Sequence, residues 1–87
     1  MEIVEKVRQA LERRLGRPDC IRLDDEDGIV GYVVSPTFRQ MTFLDRQTLI
    51  DEAVRDPASN LDAGELRHVL AIAAMTPEEF SAYSEDD

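Results

Sequence analysis

His68-Val69-Leu70-Ala71-Ile72-Ala73-Ala74-Met75-Thr76-Pro77-Glu78-Glu79-Phe80 is the stretch on which the fold turns. Its first half is a continuous apolar run, too short for a typical helix. That predicts a strand over Val69–Ala74, buried on both faces and central in its sheet. Its second half is a helix start. Thr76 is the N-cap, Pro77 takes the first helical position, and Glu79 closes a capping box. Met75 and Phe80 stand where a hydrophobic staple places its two residues.

Upstream of this stretch, Asp62 is expected to cap a short helical turn reaching Arg67. The loop Pro57-Ala58-Ser59-Asn60 precedes it. Thr42, with Asp45 three residues on, predicts a helix running to about Asp56. Its apolar line is Phe43, Gln47, Ile50 and Val54, with Leu49 and Ala53 beside it. Further back, two strand segments are read at 20–24 and 29–35. The second, Ile29-Val30-Gly31-Tyr32-Val33-Val34, is rich in β-branched and aromatic residues. Asp24-Asp25-Glu26-Asp27-Gly28 joins them, and its Asp-Gly pair suits a hairpin turn. Four adjacent carboxylates require this loop to face solvent or a cation. Residues 2–16 open the chain as an amphipathic helix, with Ile3, Val4, Val7, Leu11 and Leu15 on one stripe. Gly16 and Pro18 end it.

The order is α-β-β-α-(α)-β-α. A hairpin joined by a third strand after a helical connection predicts an α+β fold. It is a three-stranded mixed sheet with helices packed on one face, a layout that includes KH-like domains. One domain is expected over residues 1–80, with residues 81–87 as a disordered acidic tail.

Composition narrows the function. The 87 residues carry 10 basic and 19 acidic side chains, for a formal charge of −9. The acid is concentrated after Leu23: residues 1–23 are net +2 and the remainder net −11. Such a surface repels polyanions, so nucleic acid is a poor partner. No apolar run approaches the length of a membrane span, and the N-terminus has no signal-peptide pattern. The lone Cys20 cannot form an internal disulfide, which fits the cytoplasm. No glycine-rich phosphate loop, serine elbow or paired-histidine motif appears, so no enzymatic activity is expected. One histidine and one cysteine cannot close a zinc site. His68, where a helical turn meets a strand, is the single imidazole. It is either structural or a ligand. Arg46 either contacts a partner or pairs with a nearby carboxylate. Tyr32 and Phe38 read as packing residues.

Several of these segments, in this order and spacing, resemble the BolA family. They are Val34-Ser35 with Phe38 three residues after the serine, Arg46 eight residues after that, His68-Val69-Leu70, and Thr76-Pro77-Glu78-Glu79-Phe80. The resemblance spans nearly the whole chain. It implies an α+β fold similar to type II KH domains and a non-enzymatic accessory role. It also implies a monothiol glutaredoxin as partner and a 2Fe-2S cluster shared with that partner. His68 would be the cluster ligand from this chain. Arg46, Phe38, Asp25, Glu26 and Asp27 would face the partner. Alone, the chain would be a monomer or weak homodimer. Three positions depart from the family pattern. The hairpin loop has neither His nor Cys, the Arg-His-Arg group is Arg46-Gln47-Thr48, and Gln40 replaces a glycine two residues after Phe38. A KH-like nucleic-acid binder using Arg39 and Arg46, and a metal-free interaction module, are the alternatives.

Overall fold

The computed structural model describes residues 2–16 and 18–84. Helix α1 (Ile3–Leu15) is followed by strands β1 (Cys20–Asp25) and β2 (Ile29–Val34). Then come α2 (Phe43–Arg55), a short α3 (Ala63–His68), β3 (Val69–Met75) and α4 (Pro77–Ser84). Two 3-10 turns, at Pro36–Phe38 and Pro57–Ser59, fill the loops on either side of α2. β1 and β2 pair antiparallel, β3 pairs parallel to β2, and the sheet order is β1-β2-β3. The predicted mixed α+β sheet and element order are those of the structure.

The core lies between the sheet and the first two long helices. Leu23, Ile29, Val33 and Ile72 from the sheet pack with Val7 and Leu11 of α1 and with Ile50, Ala53 and Val54 of α2. Phe38, from the 3-10 turn, is fully buried among them. Strand residues alternate between faces, so Tyr32, between Gly31 and Val33, points the opposite way. Its ring lies against Phe80 of α4, with ring centroids 5.4 Å apart. Lys6 ties α1 to α3 through a two-pronged contact with Glu65, at 2.9 and 3.1 Å. Among the described residues no helix is long and apolar enough to cross a membrane.

The local signals act as their chemistry dictates. Thr42 Oγ1 accepts from Asp45 N, and Asp62 and Glu65 form a reciprocal capping box at α3. Thr76 and Glu79 do the same at α4, where Glu79 Oε1 accepts from Thr76 N at 2.8 Å and Thr76 Oγ1 from Glu79 N at 3.1 Å.

Four expectations need correction. β3 is an edge strand, β2 is the central one, and Leu70, Ala71 and Ala73 are exposed. An apolar run looks alike in both settings. The alanines expose little apolar area, so an open face costs little here. Phe43 is 77% exposed despite its phase with Ile50. Helical phase fixes a direction but not whether anything lies opposite. The hairpin turn holds the Asp27-Gly28 pair, but β1 runs on through Asp25, so the loop is shorter than expected. Asp25 pairs with Ile29 across a three-residue loop in which Gly28 alone has positive φ, at 130°. Finally, α4 continues through Ser84, so 81–84 are helical and not part of a tail. The capping box supplies a helix start strong enough to carry these residues. Residues 85–87 of the expected tail lie outside the described residues.

Candidate functional site

The residues singled out in the sequence fall at two ends of the sheet. One end holds the hairpin loop and His68. β3 begins beside the end of the hairpin, since Val69 is the partner of Ile29. His68, one residue earlier, is thereby placed against the last residue of β1. Its Nε2 lies 2.6 Å from Asp25 Oδ1. An ionised carboxylate only accepts, so Nε2 carries the hydrogen and donates. Nδ1 is then the lone-pair atom of the neutral ring. The imidazole is 37% exposed, so a partner can reach it.

Next to this pair is an open cleft of about 380 Å³ lined by Asp24, Glu26, Asp27, Gly28, Val30 and Leu70. Val30 and Leu70 are exposed apolar residues on its floor. Leu70 is the extra residue of a bulge in β3, because Ile29 pairs with Val69 while Val30 pairs with Ala71. It covers Gly28 so closely that a Cβ there would come within 2.4 Å of the Leu70 side chain. The loop glycine therefore answers both to its positive φ and to this close approach. The sequence marks neither Val30 nor Leu70 as a site residue, since a bulge has no local signature in an apolar run.

The other end holds Phe38, Arg39, Arg46 and the start of α4. Phe38 is fully buried, so it is a core residue and not the partner contact the resemblance implied. The Arg46 side chain is only 14% exposed. It donates to Glu79 Oε1 at 2.6 Å, to Met41 O at 3.2 Å and to Ala74 O at 3.3 Å. The carboxylate-pairing reading of Arg46 is the one the geometry supports. Arg39 donates to Glu78 through two of its guanidinium nitrogens, Nε to Oε1 and Nη2 to Oε2. That pairing, first through its hydrogen bond, raises the Arg39 pKa and lowers that of Glu78. Glu79 is also held below the usual carboxylate range, chiefly by the Thr76 backbone N–H and then by Arg46.

Cys20 pairs with Val34 at the end of the hairpin opposite the loop. The length of a strand thus separates it from His68. Among the described residues no group of three or more His, Cys, Asp and Glu is arranged to hold a metal ion.

Comparison with known proteins agrees with this architecture. No protein-family model and no curated protein sequence matches the chain. Solved structures do. A bol-like protein from Babesia bovis superposes with a TM-score of 0.66 at 26% identity, covering 92% of this chain and 91% of the other. The BolA domain of SufE1 from Arabidopsis thaliana gives 0.67 at 26%, covering 86% and 92%. BolA1 from Arabidopsis thaliana gives 0.73 at 24% identity, covering 91% and 96%, a likeness of fold.

The chain is BolA-like. Within a BolA-like frame the two ends acquire different standing. The Phe38, Arg46 and Thr76–Glu79 motifs are spent on packing and internal pairing. Asp25, Glu26, Asp27 and His68 remain at the accessible end. An accessible imidazole suits iron–sulfur ligation, for which mixed Cys and His shells are known. Carboxylates are harder donors and less suited to it, and the loop holds no thiolate or second imidazole. This chain's residues therefore fit one position of a shared cluster and not a cluster of its own.

Proposed function

We propose that the chain is a non-enzymatic accessory protein. It binds a monothiol glutaredoxin and lends His68 to a 2Fe-2S cluster whose remaining ligands come from the partner. The single observation that supports this is the position of His68, half-exposed at the mouth of the last strand with its Nε2 hydrogen-bonded to Asp25. A carboxylate on one imidazole nitrogen fixes the tautomer and leaves the other nitrogen to donate its lone pair. Asp25 would thus orient His68, while Glu26 and Asp27 with the apolar floor of the cleft would shape the contact with the partner. A bound cluster would supply electron transfer and a transferable iron–sulfur unit. A reducing compartment such as the cytoplasm suits both a shared cluster and the free Cys20.

The nucleic-acid alternative loses its residues, because Arg39 and Arg46 are both paired with carboxylates. One observation favours the metal-free alternative: the hairpin loop has no second soft ligand. The deciding experiment is anaerobic titration with a cluster-loaded monothiol glutaredoxin, followed by visible absorption and circular dichroism. A new spectrum is expected with the wild type and not with His68→Ala. Binding without any spectral change, equal for both proteins, would establish the metal-free reading instead.

A further inference from the structure

The edge of β3 is closed by side chains from α2. Met75 O accepts from Ser35 N, the residue that follows β2, at 3.0 Å. Met75 O therefore points toward β2. Successive carbonyls of an extended strand point to opposite sides, so Ala74 O and Ile72 O point away from β2, toward the free edge. Both are occupied. Gln47 Nε2 donates to Ile72 O at 3.2 Å, and Arg46 Nη1 donates to Ala74 O at 3.3 Å. The next outward position, Leu70, lies in the bulge that breaks the register with β2. A free parallel-sheet edge presents unpaired groups to any passing strand, and bulges and charged side chains are the usual remedies.

We infer that Gln47 and Arg46 form an edge lock that prevents a second copy of this chain from pairing its own strand with β3. Glu79 is the positioning residue of the lock. It holds the same Arg46 Nη1 at 2.6 Å and is itself fixed by the α4 capping box. The side chains of Gln47 and Arg46 occupy the path of an incoming strand as well as its hydrogen-bond acceptors. A partner of this protein is thereby directed away from the β3 edge. The lock stands independently of the cluster reading, since it involves neither His68 nor the hairpin loop.

The test compares wild type with Arg46→Ala/Gln47→Ala by sedimentation velocity across a wide concentration range. Amide hydrogen exchange at Ile72 and Ala74 is read in parallel, with far-UV circular dichroism to confirm folding. The wild type is expected to show no association through this edge. The double variant is expected to associate as concentration rises, slowing exchange at the two amides by roughly tenfold or more. Should that variant fail to fold, Gln47→Ala alone keeps Arg46 in place and is expected to show weaker association of the same kind, read at Ile72. A folded variant that never associates would overturn the lock. So would association that leaves both amides unprotected, or a wild type already paired through β3.

Discussion

The two ends of the sheet differ in how many of their polar groups the chain itself satisfies. Around α4, Arg39, Arg46, Thr76, Glu78 and Glu79 are all held by other residues of the chain, and Phe38 is sealed in the core. At the hairpin end, one hydrogen bond joins His68 to Asp25, and Glu26, Asp27, Val30 and Leu70 face solvent. Both ends carry motifs that resemble the same family. A motif can thus mark the scaffold as readily as the working surface, and only its environment separates the two.

The sharpest way to break this contrast is Phe38→Ala. Truncating a fully buried aromatic residue should cost about 3–5 kcal/mol, read as a lower midpoint in urea unfolding. A loss no larger than that of a surface substitution would remove the scaffold role assigned to this end. Thr76→Ala comes next. It deletes the buried hydroxyl that caps α4 and should cost about 1 kcal/mol in the same assay.

The neighbouring Glu79 gives the scaffold end a pH signature. Its folded pKa lies below that of a free glutamate side chain, so its contribution is complete above the free value and is lost as pH falls through the folded pKa. Glu79→Gln should therefore lower stability by a constant amount at neutral pH and above, and flatten the acid side of the stability profile. An equally steep acid limb in that variant would assign the effect to other carboxylates. Glu65, lowered by Lys6 and then by the Asp62 backbone, acts with the same sign.

Gln40 supplies a gain instead of a loss. It occupies the left-handed region at φ 66°, where the resembled family carries glycine. Gln40→Gly should raise stability by about 1 kcal/mol, the strain relieved exceeding the added chain entropy. A decrease would mean that the Gln40 side chain makes up for its backbone. The smallest effect is expected at the other end. His68→Ala should shift stability by less than about 1 kcal/mol, since a hydrogen bond between partly exposed side chains contributes little net stability. A large loss there would make His68 a structural residue and erase the difference between the ends.

Much of this is legible in the sequence alone. Capping chemistry at Thr42, Asp62 and Thr76 is local, and the helices begin where those residues stand. The stripe of α1 and the hairpin strands follow from short-range periodicity. The misplaced readings involve what lies opposite. Val69–Ala74 has the composition of a central strand and became an edge, while Phe43 has the phase of a core residue and became exposed.

Sequence by itself determined the element order, the caps, the acidic loop and the single imidazole, because each depends on residues close together in the chain. Tertiary structure alone decided that Asp25 reaches His68 and that Leu70 bulges over Gly28. It alone also placed Gln47 and Arg46 on the carbonyls of β3. These contacts join residues far apart in the chain. They exist because parallel pairing of β2 with β3 sets the start of β3 beside the end of the hairpin and leaves its outer edge beneath α2.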